Sequence, residues 1–248
     1  MFREFFLLLL LGHVLGDFYT QTGKIAEKKK NDFRWVLIHG LMYMITILVV
    51  CIPFMSWGLF VFSIFTAISH VLIDICKYFY VKRNKDSSKT FLVDQSLHLV
   101  CLIIISYICV KNNVQLKQHI IISDFFDTIQ LSETMLCKWL LGLLIIHKPA
   151  NILIQKLLIS YRPKPKIDAT EIKVDNNVGR VIGSVERAIM FLLIYMHQYS
   201  AIGLVLTAKS IARYDKISKE KNFAEYYLLG TLISLGIVII CAVLLFGV

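Results

Sequence analysis

Charge is scarce in this chain. Asp, Glu, Lys and Arg make up 18% of its 248 residues, and 57% are hydrophobic. Soluble domains carry about 25% charged residues. With a mean hydropathy of +0.67, this shortage excludes an ordinary water-soluble domain. Paired cysteines are absent too. Cys51, Cys76, Cys101, Cys109, Cys137 and Cys241 all lie in or beside apolar runs, without a CxxC. They read as small buried hydrophobes, which excludes a disulfide frame or a thiolate metal site. No internal repeat and no glycine-rich nucleotide loop is present.

What is present is a series of apolar runs, several reaching the roughly 20 residues that cross a bilayer. They predict an all-α fold, a polytopic transmembrane helical bundle of about six to seven spans. The expected segments are 4–20, 33–54, 59–80, 91–110, 136–160, 178–196 and 223–248, with a shorter apolar stretch at 201–214. The first run, 5–11, resembles a signal-peptide core, but no small-residue cleavage site follows, so a retained helix is expected. Three blocks follow: 1–110 as a four-helix membrane block, 111–177 as a connector with one span, and 178–248 as C-terminal membrane helices. An interfacial amphipathic helix is expected within 111–134. Pro149 should kink the fifth segment. The stretch 161–177, with Pro163 and Pro165, reads as the most loop-like.

The net charge of +10 would suggest nucleic acid in a soluble protein. Here the cations sit between apolar runs, at 24–34, 82–89, 156–166 and 209–221, and alternate loops are basic. The positive-inside rule explains that pattern first, and no nucleic-acid partner is expected. It predicts cytoplasmic basic loops with the N-terminus outside.

Against this apolar background three pairs spaced i, i+4 stand out: His13 with Asp17, His70 with Asp74, and Asp94 with His98. On a helix each pair shares one face. Ionisable groups inside membrane helices are costly and are usually kept for a function. The topology brings all six, with His39, to one depth near the cytoplasmic ends of four helices. Imidazole and carboxylate suit zinc, manganese or iron. Seven candidate ligands exceed what one tetrahedral ion needs, which leaves room for two divalent ions. Asp17, Asp74, Asp94 and His98 are the expected catalytic groups. Gln21, Lys24, Lys77, Glu186, Arg187, Lys209 and Arg213 are expected to flank the cluster, orienting it or clamping an anionic group such as a phosphate. The bland readings are packing hydrogen bonds between helices and, for Lys209 and Arg213, cations snorkelling to the interface. His119 and His197 read as interfacial.

Known membrane-enzyme signatures do not account for this set. HExxH, the paired-glutamate protease motif, a GxSG-type serine site and the doubled DxxxD of CDP-alcohol transferases are missing. His70 to Asp74 matches only the end of the lipid phosphatase signature.

The spacings His13-Val-Leu-Gly-Asp17-Phe-Tyr-Thr-Gln21, Lys24, His39-Gly40, His70-Val-Leu-Ile-Asp74-Ile-Cys-Lys77 and Asp94-Gln95-Ser-Leu-His98 resemble the bacterial domain of unknown function 3307 family (DUF3307). Gly179-Arg180, Ile182-Gly183, Glu186-Arg187, Ala208-Lys209-Ser210, Arg213 and Glu225 to Ser234 are similar to a second block of its longer members. The resemblance covers most of the chain outside 111–177 and implies a bacterial inner-membrane protein. It implies no activity. From the residues themselves, the expected function is a divalent-metal-dependent hydrolase acting on a lipid-linked or phosphate-containing substrate at the cytoplasmic leaflet. The alternatives are an ion- or proton-coupled transporter or channel, and a non-catalytic sensor or effector in a stress or phage-defence operon. Membrane lipid, a cytoplasmic protein partner and a second copy of the chain are the partners these readings call for.

Overall fold

The computed structural model describes residues 1–84, 86–117, 120–162 and 176–247, and every regular element among them is helical. The chain divides into two compact units, Met1–Leu141 and Gly142–Val248.

The first unit begins with α1, Phe2–Val14, which continues through a π-helical turn, Leu15–Thr20. α2 is Gly23–Asn31, α3 Phe33–Cys51, α4 Trp57–Arg83, α5 Ser88–Lys111 and α6 Ile120–Ile129. Polar residues start these helices where the apolar runs break. Thr22, Asp32, Ser56 and Ser87 each accept a hydrogen bond from a backbone N–H in the first turn that follows, satisfying donors that the helix itself leaves orphaned.

α3 packs on α4, α4 on α5, and α1 on both α3 and α5, closing a ring of four helices. Small residues set how close its members come. A Cβ on Gly16 would stand 2.6 Å from Cδ2 of Tyr43, and one on Gly40 would stand 2.4 Å from Cγ2 of Val71. Both distances are shorter than any real side chain tolerates, so α1 and α4 can approach α3 only because these positions are glycine.

Each helix of the ring buries one stripe, and each stripe changes character along its length. On α3 it runs from His39 through Tyr43 to Ile47 and Cys51, and on α5 from Asp94 and His98 to Leu102 and Cys109. On α4 it runs from Leu59 through Ala67 to His70, Asp74 and Tyr78. The apolar ends form one core with Phe5, Leu8 and Leu9 of α1. The ionisable ends meet at the other end of the ring. The outward faces carry Leu41, Ile45, Val49, Phe65, Ile68, Leu72, Val100 and Ile104, all exposed. Apolar outside with ionisable groups inside is the arrangement a hydrocarbon surround demands.

The second unit contains most of α7, Glu133–Leu158, then α8, Asn176–Tyr195, α9, Tyr199–Ile211, α10, Tyr214–Lys219, and α11, Lys221–Phe246. α8 packs on α9 and α11. Among the described residues, five helical segments are long and apolar enough to cross a membrane: Phe33–Phe54, Trp57–Arg83, Ser88–Lys111, Glu133–Tyr161 and Lys221–Phe246. A sixth is added if Phe2–Thr20 and Gly23–Asn31, bent by 85°, count as one broken span. This is therefore an all-α membrane protein. The upper expectation of seven counted 178–196 as a span. α8 occupies that stretch, but Arg180, Glu186 and Arg187 fall within two of its turns, and α9 is too short to cross.

A helix forms within 111–134, where Ile120, Phe125 and Ile129 of α6 are exposed. Of the cysteines, Cys51, Cys109 and Cys241 are buried, Cys101 and Cys137 are partly buried, and Cys76 is exposed. The uniform burial expected of all six thus fails at Cys76, which lies off the buried stripe of α4. Residues 163–175 and His119 lie outside the described residues.

Candidate metal centre

His13, Asp17, His39, His70, Asp74, Asp94 and His98 are all buried, and the ring brings them together. The ring centroids of His70 lie 4.3 Å from His98, 5.3 Å from His39 and 5.7 Å from His13. His13 and His98 are 5.1 Å apart. One ligand atom from each member of three triplets lies within 4.8 Å of the others: His13, His70 and His98; Asp17, His39 and His70; Asp74, Asp94 and His98.

Asp17 sits on the π-helical turn, whose wider winding re-aims a side chain relative to an α-helix. Its partners come from other helices. Oδ1 is 3.2 Å from Nε2 of His39, and Oδ2 accepts from Nε2 of Gln95 at 2.8 Å. Asp94 is held in the same manner. Lys77 donates to its Oδ2 at 2.6 Å, and its Oδ1 faces Nε2 of His98 at 3.7 Å. Each of these carboxylates therefore has one oxygen fixed by a positioned donor and the other turned toward imidazole, as carboxylates around metals commonly are. Asp74 Oδ2 accepts from Lys29 at 2.7 Å and stands 3.5 Å from His39 Nε2 and 3.7 Å from His70 Nδ1. Tyr43 stacks on His70 at 3.7 Å, and its hydroxyl is 3.3 Å from Nδ1 of His13.

The fit to a divalent ion rests on atoms that lack partners. Nδ1 of His39, both ring nitrogens of His70, Oδ1 of Asp94 and Nε2 of His98 are buried without a hydrogen bond. Leaving such atoms unsatisfied costs about 1–3 kcal/mol each. His70 has a carboxylate oxygen 3.7 Å from each ring nitrogen, which is too long for a hydrogen bond. Two ligand atoms each about 2.1 Å from a tetrahedral ion stand about 3.4 Å apart, so the observed separations suit atoms that share a cation. Nitrogen and carboxylate donors without sulfur match zinc, manganese or iron.

The residues expected to flank the cluster divide. Lys77 joins it through Asp94, and Gln21 joins it through Lys29, whose ammonium lies 3.1 Å from Gln21 Oε1. Lys24 is exposed on α2, and Lys29, one turn and a residue further along, takes the place expected of it. Glu186, Arg187, Lys209 and Arg213 belong to the second unit and have partners there. Lys209 donates to Glu186 at 2.6 Å. Arg213 lies 5.9 Å from the Tyr227 ring. Arg187 is buried and donates to Ile146 O at 2.6 Å, Asn151 Oδ1 at 2.8 Å, and Ser184 and Ser234 at 3.3 Å.

Sequence reasoning passed over Lys29, Tyr43 and Gln95 as site residues. Tyr43 follows His39 by four residues on the same buried stripe, a spacing that could have found it. Gln95 neighbours Asp94, but only the pairing of α1 with α5 shows that its amide reaches Asp17.

Fold and site define a helical membrane protein whose four-helix ring encloses a buried histidine–aspartate cluster. The family model described as a protein of unknown function, DUF3307, matches residues 5–126, and this part of the chain belongs to that family. All seven clustered residues fall inside the match. No curated protein and no solved structure matches the chain.

Proposed function

We propose that the protein is a divalent-metal-dependent hydrolase of the bacterial inner membrane, acting at the cytoplasmic leaflet on a lipid-linked or phosphate-containing substrate. One observation carries the reading. Two histidine–carboxylate atom pairs, His70–Asp17 and His98–Asp94, each stand 3.7 Å apart, a spacing that suits a shared cation better than a hydrogen bond.

Asp17, His39 and His70 would hold one ion, and Asp74, Asp94 and His98 a second. An ion held by these residues would supply a nucleophile at neutral pH, by lowering the pKa of water toward about 7, and Lewis acidity toward a phosphoryl oxygen. Gln95 and Lys77 keep Asp17 and Asp94 turned toward imidazole. Tyr43 fixes the planes of His13 and His70. Lys29 and Lys77 supply positive charge beside the carboxylates, where an anionic substrate needs it. The packed apolar end of the ring keeps bulk water from entering on that side. Basic residues around α2 and the 82–89 loop favour a cytoplasmic opening.

The Lys29–Asp74 and Lys77–Asp94 pairs favour, as a second reading, an ion- or proton-coupled transporter, because such intramembrane pairs also serve relays. Metal analysis of the purified protein separates the two. A hydrolase should hold near-stoichiometric zinc, manganese or iron, lose it in the Asp74→Ala and His98→Ala variants, and cleave phosphate-ester lipids only when loaded. A protein that holds no transition metal after supplementation, yet moves ions or protons in liposomes, would replace the first reading with the second.

A further inference from the structure

One turn beyond Asp74, the inner face of α4 reaches a cavity of about 420 Å³. Lys30 and Asn31 at the end of α2, Tyr78 and Lys82 on α4, and Asn84 and Asp86 after it line the space. It is far larger than an ion needs and falls in the range of small-molecule sites. Tyr78 follows Asp74 by four residues, a rise of about 6 Å along the helix. Lys30 follows Lys29, whose ammonium already rests on Asp74. The cavity and the histidine–aspartate cluster therefore share one helix face and one lysine-bearing turn.

The lining has a defined chemistry. It offers two ammonium groups, two carboxamides and a phenol against one carboxylate. That carboxylate, Asp86, stands 2.8 Å from Lys30. The Lys82 ammonium lies 5.8 Å from the centre of the Tyr78 ring, so it is directed over the cavity's aromatic wall. Donors with a surplus of positive charge recognise an anion, and lysines bind phosphate as point charges. The Lys30–Asp86 pair is half open to water, with the two side chains 50% and 21% exposed. A water-exposed pair of this kind is weak, so an incoming phosphate can take over Lys30 at little cost.

We propose that this cavity binds the phosphate group of the substrate and so presents the ester bond to the neighbouring cluster. The proposal rests on the hydrolase reading and narrows its substrate to molecules with an anionic phosphate, either a lipid headgroup or a free ester. Asn31 and Asn84 would donate to the remaining oxygens, and Tyr78 would flank the bound phosphate.

The test uses the full chain in detergent micelles, wild type beside a double variant, Lys30→Gln with Lys82→Gln. Binding of inorganic phosphate, dihexanoyl phosphatidic acid and dihexanoyl phosphatidylcholine is measured by calorimetry, and metal content is measured on the same samples. Phosphatidic acid should bind the wild type, and the double variant should weaken it by at least about tenfold, since two charge-assisted contacts are lost, while metal content stays unchanged. Equal binding of inorganic phosphate would identify the free anion as the ligand, and binding of the acidic lipid alone would identify a headgroup. An Asp74→Asn variant should lose metal and still bind the anion. Equal affinity of wild type and double variant, equal binding of the zwitterionic lipid, or no anion binding would overturn the proposal. Anion binding by a protein that takes up no metal would leave this site standing and remove the hydrolase reading.

Discussion

The ammonium of Lys29 lies 2.7 Å from Oδ2 of Asp74, with the two side chains 11% and 1% exposed. It joins the short helix after the 85° bend to the middle of the longest helix in the ring. A buried carboxylate left without its cation is strongly destabilising, by about 3–5 kcal/mol. The same ammonium also competes with any metal for Asp74. Lys29→Met should therefore lower the melting temperature of metal-free protein, and added zinc or manganese should restore more stability to the variant than to the wild type. Thermal denaturation with and without metal reads both effects. Equal metal-induced shifts in the two proteins would show that Lys29 and the ion do not share Asp74.

Gln95 tests orientation instead of charge. Its amide donates to Asp17 at 2.8 Å and to Asp94 at 3.2 Å, holding two carboxylates from one position. Gln95→Leu keeps the volume and removes both donors, freeing the carboxylates to rotate. Losing such a partner typically costs 10–100-fold in metal affinity. Competition against a chelator of known affinity should show a loss of about that size, with circular dichroism unchanged. Unaltered affinity would mean that packing alone orients Asp17.

Gly16 places a structural limit on the same site. Its missing side chain leaves room for Tyr43, and Tyr43 stacks on His70. Gly16→Val forces the tyrosine ring or the α1 backbone to move, at a cost of about 1–3 kcal/mol for an overpacked contact. The variant should bind metal more weakly as well as melt earlier, because the displaced ring no longer fixes the plane of His70. Gly23, which would meet nothing within 4 Å, is the control. Gly23→Ala should leave both measurements where they were.

These contacts show which parts of the molecule could be read from residues alone. The ring's interior was legible because His39, His70, Asp74, Asp94 and His98 interrupt apolar runs at helical spacing, and burying them is tolerable only if they meet. The spacing did not reveal the partners. His13 and Asp17 share an i, i+4 interval, yet Asp17 sits on a π-helical turn and faces His39 and Gln95. Lys29 lies in a run of three lysines that reads equally well as a topology signal, and only the bend before α2 turns it toward Asp74. Glu186 and Arg187 were grouped with the cluster by depth, a criterion that carries no lateral information. Their contacts are with Lys209 and with α7 and α11 of the second unit.

Arg187 is the most demanding of these residues, a buried guanidinium whose hydrogen bonds all go to neutral acceptors. Pro149 has no N–H to offer the preceding turn of α7, and Ile146 O in that turn accepts from Nε of Arg187 at 2.6 Å. The arginine thus adds a donor to the turn of α7 that precedes its proline, and it also ties α7 to Ser184 on α8 and Ser234 on α11. Arg187→Met removes the donors and leaves Asn151 Oδ1 without its partner, at a cost of about 1–3 kcal/mol. Arg187→Lys keeps the charge but not the planar fork that reaches several acceptors at once, so it should recover only part of the loss. Thermal melting should rank wild type above the lysine variant and the lysine variant above the methionine variant, while metal content per chain stays the same in all three. Full recovery by lysine would show that charge alone matters at this position. Loss of metal in folded Arg187→Met protein would show that the arginine serves the cluster and not its own unit.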